Sequence, residues 1–246
     1  MNVVLYVLLL LVVACLVLIA WGIRDYRNWV AIGKGGLPHT LRGWLTMTRL
    51  RLKKRETTSV GLYDPLIGGA DDVVWLKDLP ARKGPRPRTA VYPIPHRQLD
   101  QTPPVEMRRF QDQMFDDYVE QRSQFVCYQV SNYERHNNAL FVRKDQIVSP
   151  VGQVTRGEVA HVHESDGSMH MIFGPSDART VIEKGWGERH PLSGVYPGLP
   201  VTYLMIYAPR DPEEVALVQQ LVRAAIQNLC LCEIPPPRLS YKPRVL

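Results

Sequence analysis

The strongest feature of the hydropathy pattern lies at the start of the chain. From Val3 to Ile23 it reads VVLYVLLLLVVACLVLIAWGI, and residues 1 to 23 contain no Asp, Glu, Lys, Arg or His. About 20 such residues cross the hydrocarbon core of a bilayer as a helix. No basic residue precedes the run, as one would in a cleaved signal peptide. Trp21 followed by Arg24-Asp25-Tyr26-Arg27 has the make-up of an interfacial anchor. The pattern predicts a retained transmembrane helix over residues 1–23.

Beyond it the period changes. Residues 40–54 place Leu41, Trp44, Leu45, Thr48 and Leu52 near one face, with Thr40 as cap and Arg and Lys opposite. This predicts an amphipathic helix that either lies in the headgroup layer or packs on the body. Residues 77–104 hold seven prolines and predict an irregular connector wrapping the body. A helix over about 105–122 follows, with Phe110, Met114, Tyr118 and the neighbouring Phe115 and Val119 as its apolar stripe.

Short β-rich runs come next: 125–130, 139–143 across an Asn137-Asn138 turn, 153–163, and 168–173 across Asp166-Gly167. Pro175-Ser176-Asp177 opens a helix that runs to Lys184 and stops at Gly185. Residues 201–208 have the composition of a buried strand. Asp211-Pro212-Glu213-Glu214 is a well-formed start for a helix to about Leu229. This order predicts an α+β fold, a mainly antiparallel sheet with packed helices, preceded by one N-terminal transmembrane helix. The predicted organisation is a span over 1–23, a basic juxtamembrane segment over 24–58 and an α+β domain over 59–246.

Composition alone points elsewhere. The 246 residues carry a formal net charge of +6 and a pI near 9.2, values that invite a nucleic-acid partner. The position of the charge removes that reading. Nine Lys and Arg lie between residues 24 and 55 with Asp25 the single acid, leaving a net of −2 over 56–246. A basic collar beside a span favours the cytosolic side and anionic headgroups. The expectation is a single-pass protein of the endoplasmic reticulum or a related endomembrane, with its body in the cytosol and no nucleic-acid partner. Four cysteines, with Cys230-x-Cys232 lacking a second pair, give neither a disulfide framework nor a structural zinc motif. No dinucleotide fingerprint, phosphate loop or nucleophile elbow is present.

Reactive side chains concentrate in one stretch. His161 and His163 share a strand face at i, i+2, and His170 lies across the Asp-Gly turn on a hairpin partner. His190 follows, in Gly185-Trp186-Gly187-Glu188-Arg189-His190. Imidazoles grouped in this way either bind a transition metal, with His161, His163 and His170 as the ligand set, or move protons. Glu164, Asp166 and Glu188 are available to ligate or to orient a ring. Arg210 suits an anion or a nearby acid at the helix start, and Trp186 suits a flat substrate or the core.

These residues carry a family resemblance. Gly-Glu-Val-Ala-His161-Val-His163, His170, Glu183-Lys-Gly-Trp-Gly-Glu-Arg-His190-Pro-Leu-Ser-Gly and Leu-Met-Ile-Tyr207-Ala-Pro-Arg210-Asp-Pro-Glu-Glu together resemble the fungal luciferase family. Upstream, Ile23-Arg-Asp-Tyr, Leu41-Arg-Gly-Trp, Gly61-Leu-Tyr-Asp and Trp75-Leu-Lys-Asp-Leu-Pro extend the likeness. The resemblance implies a membrane-anchored fungal enzyme. Luminous members oxidise 3-hydroxyhispidin, a styryl-pyrone, with molecular oxygen as co-substrate and no organic cofactor, by way of an endoperoxide that loses carbon dioxide. For this chain it implies oxidation of a pyrone or another polyketide-like phenolic enol in secondary metabolism, beside neighbouring biosynthetic enzymes. A His base and an Arg that holds the enolate suit such chemistry. The candidate catalytic residues are then His161, His163, His170, His190, Arg189 and Arg210, with Trp186, Glu188 and Tyr207 against the substrate. Two other readings remain open: a metal-dependent enzyme of different reaction type, and a non-catalytic scaffold on a membrane surface.

Overall fold

The computed structural model describes residues 2–240. Its first element, α1 (Val3–Ala31), is longer than the apolar run that announces it. The helix passes through Arg24-Asp25-Tyr26-Arg27 without a break, since none of these residues disfavours helix. It is long and apolar enough to cross a membrane, and none of its apolar window is buried against the body.

Helix α2 (Leu41–Arg51) starts where Thr40 accepts a hydrogen bond from the Gly43 amide. The face it buries is not the leucine stripe. Gly43 and Met47 pack inward, whereas Leu41, Leu45 and Leu52 are exposed. Gly43 decides this, because the Pro38 carbonyl lies 2.0 Å from where a Cβ would stand, so only glycine permits the approach. Trp29, Met47 and Tyr92 form a small core there. Asp25 ties it together, accepting from Trp44 Nε1 at 2.8 Å, Arg51 Nη2 at 3.0 Å and Tyr92 Oη at 3.0 Å.

The body is an α+β unit. Its strands are β1 (Val126–Val130), β2 (Asn138–Val142), β3 (Glu158–Val162), β4 (Met169–Ile172), β5 (Gly187–Arg189) and β6 (Tyr203–Ile206). They form one antiparallel sheet in the order β1-β2-β3-β4-β6-β5. Two stretches depart from the sequence pattern. Residues 153–155, expected as strand, belong to the short helix α4 (Pro150–Thr155). Ser149 caps that helix and Pro150 opens it, while Arg156 and Gly157, both at positive φ, end it before β3. The three-residue β5 is too short for its alternation to show.

Helices α3 (Val105–Gln121), α5 (Pro175–Glu183) and α6 (Pro212–Cys230) complete the body. Helix α6 begins as its sequence predicts, with the Asp211 carboxylate accepting from the Glu214 amide and Pro212 at the first turn. Helix α5 stops at Gly185, whose φ of +79° suits glycine. Strand alternation then divides the sheet into two faces. Val162, Met169, Ile206 and Gly187 stand in one cross-strand row, and His161, His170, Met205 and Glu188 stand in the next. The first face, with Met169, Met171, Leu204 and Ile206, packs on α6 residues such as Val218, Leu221 and Val222. The histidine face is covered by chain without regular structure. The proline-rich connector carries a single bridge, Thr89 with Gln98, and lays His96 and Arg97 over the sheet.

Candidate active site

The sheet and the connector bury five imidazoles together. His161, His163, His170 and His190 come from the β3–β4 hairpin and the segment after β5, and His96 comes from the connector. Each is at most 6% exposed. Ring centroids lie 4.8 Å apart for His163 and His170, 5.4 Å for His161 and His170, 5.3 Å for His170 and His190, and 5.2 Å for His96 and His190. His170 is the hub, and Tyr203 stacks on it at 4.7 Å and 17°.

Each ring is held by a partner that fixes its tautomer. His161 Nδ1 lies 2.9 Å from Glu158 Oε1, an acceptor, so it carries the proton. Glu158 is itself held by the Ser131 hydroxyl and the Asn132 amide, both at 2.6 Å. His163 Nδ1 lies 2.8 Å from Ser168 Oγ, whose own proton goes to Asp166 at 2.7 Å. His170 Nδ1 donates to the Leu204 carbonyl at 3.1 Å. His96 differs. Its Nε2 donates to Glu188 Oε1 at 2.8 Å, Tyr207 Oη donates to Glu188 Oε2 at 3.0 Å, and Nδ1 has no partner. His190 is occupied otherwise: Nδ1 accepts from the Leu192 amide at 3.1 Å, and the ring also hydrogen-bonds to the backbone of Pro93.

Burial sets the charge state of this cluster. It pushes His163, His170 and His190 well below the ordinary imidazole range, with neighbouring imidazoles and Arg97 adding to the effect, so these rings are neutral at pH 7. Burial works against ionisation of Glu188, but hydrogen bonds from His96 and Tyr207 outweigh it and hold the carboxyl below its usual value. Arg97 is the nearest cation. It is 3% exposed, and its Nη2 reaches Glu134 Oε2 at 2.8 Å and Oε1 at 3.0 Å.

A cavity of about 200 Å³ opens onto this floor. His96, Arg97, His170, His190, Tyr133 and Tyr203 line it, together with Gly36 and Leu37 from the segment that follows α1. Aromatic and imidazole side chains form part of its wall, beside Arg97, Glu134 and Arg135, a lining suited to a conjugated ring that carries polar groups. A larger open groove, about 510 Å³, touches the cluster through His163 and is otherwise lined from α3, β1, β2 and the end of β3.

Three expected site residues lie elsewhere. Arg210 binds Glu214 four residues on, and also the Lys83 carbonyl, as its place at a helix start favours. Arg189 points its guanidinium at the carbonyls of Glu56 and Ser59. Trp186 is a core residue whose Nε1 donates to the Pro80 carbonyl. Glu188 and Tyr207 reach the site through His96. In turn, the sequence pattern passes over His96, Arg97, Tyr203 and Glu158. A histidine between Pro-Ile-Pro and an Arg-Gln pair carries no period that would mark it.

Comparison with known proteins agrees with the likeness of the motifs. The luciferase-domain family profile matches residues 156–225. Luciferase from Armillaria mellea is 32% identical over 215 residues, spanning 82% of this chain and 79% of the relative. Luciferases from Armillaria gallica and Neonothopanus nambi are each 31% identical over the same shares. The chain belongs to the fungal luciferase family. No solved structure matches it. The family profile spans the β3–β4 hairpin, β5, β6 and most of α6, so it contains four of the five clustered histidines of this luciferase-like enzyme. His96 lies outside the profile.

Proposed function

We propose that this protein is a membrane-anchored oxygenase that oxidises a pyrone or a related electron-rich phenolic enol such as 3-hydroxyhispidin. The observation that carries this reading is the floor of buried imidazoles under a cavity partly walled by tyrosine rings, in a chain related to fungal luciferases. An enol becomes reactive toward oxygen once it loses its proton. His96 is the suited base: Nδ1 is bare and buried, and Glu188, steadied by Tyr207, holds the opposite Nε2 proton. A carboxylate behind an imidazole fixes the tautomer and stabilises the imidazolium that forms. The enolate carbon then gives electrons to molecular oxygen as a carbon–oxygen bond forms, with oxygen reduced to the peroxide level. Arg97 supplies positive charge beside the enolate, the role first expected of Arg189 or Arg210. Tyr203 and Tyr133 offer faces for the ring, and no organic cofactor is needed.

The basic collar and the apolar helix support a proposed location at an endomembrane such as the endoplasmic reticulum, with the body in the cytosol beside anionic headgroups and neighbouring biosynthetic enzymes. A protease-protection assay on intact microsomes tests the orientation, and a body shielded from protease would reverse it. For the reaction, full-length protein in detergent is mixed with 3-hydroxyhispidin, and oxygen uptake, pyrone absorbance and light are followed. Pyrone-dependent oxygen uptake is expected, falling by about 10²–10⁴-fold in His96→Gln. Absence of both pyrone loss and oxygen uptake would sink the reading for this substrate.

A further inference from the structure

Three rings of the cluster bring one nitrogen each close together, and two of these rings carry a buried nitrogen without a partner. His161, His163 and His170 are each anchored through a protonated Nδ1, by Glu158, Ser168 and the Leu204 carbonyl respectively. Nε2 is therefore the unprotonated acceptor in all three. In His161 and His163 this atom is buried with no hydrogen-bond partner. One ring nitrogen of each of the three lies within 4.8 Å of the other two.

Converging acceptors in a buried site are costly unless something positive or donating lies between them. A water molecule brings two hydrogens and cannot satisfy three acceptors. A metal ion satisfies all three. The outer partners also match those of metal-binding histidines, whose second nitrogen gives its proton to a carboxylate, carbonyl or hydroxyl. Glu158 and, through Ser168, Asp166 add negative charge behind two of the rings. A second trio, His96, His170 and His190, is equally close, but Nδ1 of His190 is already engaged by the Leu192 amide.

We propose that His161, His163 and His170 bind one divalent first-row transition metal through their Nε2 atoms. Three neutral imidazoles suit zinc, iron, nickel or copper, and leave a coordination position open. Glu158 and Ser168 are positioning residues that hold the ligand tautomers. The site deepens the oxygenase reading, yet it is tested without turnover, so the two can fail separately.

The test uses full-length protein in detergent, stripped with a chelator and titrated with Co²⁺ while visible ligand-field absorption is followed. One Co²⁺ per chain is expected, displaced by Zn²⁺. Binding is lost in H163A and kept in H190A. Glu158→Gln and Ser168→Ala keep all three rings and weaken binding by about 10–100-fold. Unchanged thermal unfolding of the stripped E158Q and S168A proteins guards against misfolding as the cause. Absent Co²⁺ absorption in the parent protein overturns the proposal. So does binding that is indifferent to H163A, E158Q and S168A, or binding that is lost in H190A.

Discussion

The buried ion pair of Arg97 with Glu134 offers a demanding test of how the connector is held over the sheet. Arg97 and Glu134 are 3% and 5% exposed. Nη2 of Arg97 bonds both carboxylate oxygens and the Lys34 carbonyl at 2.7 Å, and Nη1 bonds the His96 carbonyl at 3.1 Å. Removing one member leaves the other charged and desolvated, which costs about 3–5 kcal/mol. Arg97→Met strands the carboxylate, with His136 as its other neighbour at 3.6 Å. Glu134→Gln strands the guanidinium.

Replacing both charges by apolar groups removes that penalty. The double variant R97M/E134L loses the two carbonyl hydrogen bonds of Arg97, about 2 kcal/mol at roughly 1 each. In a protein of this size 1 kcal/mol moves Tm by about 2–4 °C. Each single variant should then lose about 6–20 °C, and the double about 4–8 °C, less than the singles combined. Thermal unfolding in detergent at a fixed scan rate, followed by the fluorescence of the five tryptophans, reads all four proteins. Singles that shift by under about 2 °C, or a double equal to the sum of the singles, would show that the pair does not hold the connector as a unit.

Other expectations are equally direct. Burial pushes the Asp177 carboxyl up to about 6. The unfolded chain releases that proton near pH 4 while the folded one keeps it, so stability should fall between about pH 4 and 6 and level off above. The drop is roughly 3 kcal/mol, and Asp177→Asn should flatten it; an unaltered Tm-versus-pH slope would count against the assignment. A Cβ at Gly36 would stand 2.5 Å from the Tyr133 carbonyl at the cavity wall, so Gly36→Ala should cost about 1–3 kcal/mol and raise KM for the proposed pyrone substrate. Asp25→Ala strands three donors, two on α2 and one on the connector. Hydrogen exchange should then speed up about tenfold or more in α2 and stay unchanged in α6.

Much of this fold is legible because its signals are local. Thr40, Asp211-Pro212 and Gly185 mark helix ends by their own chemistry, and the His-x-His alternation gives the shared face of His161 and His163. What escapes is non-local. Period two places Glu158 and His161 on opposite faces, yet they are bonded. The reason is a bulge in β3: Leu140 pairs with Ala160 but Phe141 with Glu158, so one step along β2 spans two along β3. The extra residue turns Glu158 onto the histidine face. His96 escapes for a related reason, because an irregular strap has no period and its place is set by partners 92 residues away, at Glu188.

Those same irregular segments connect α1 to the proposed site. Trp29, near the end of α1, donates to the Ile94 carbonyl at 2.8 Å, two residues before His96. Arg97 bonds the Lys34 carbonyl, and Gly36 and Leu37 line the cavity. The histidines of the sheet are held by strand pairing, but His96 and Arg97 are held against α1 and the turn after it. A proposed base whose position depends on that docking feels any loosening of the C-terminal end of α1, whereas the three-histidine group on β3 and β4 does not. Truncation at residue 38 should therefore depress oxygen uptake more than it depresses Co²⁺ binding. Equal loss of both would mean that the anchor supports the whole sheet rather than the strap.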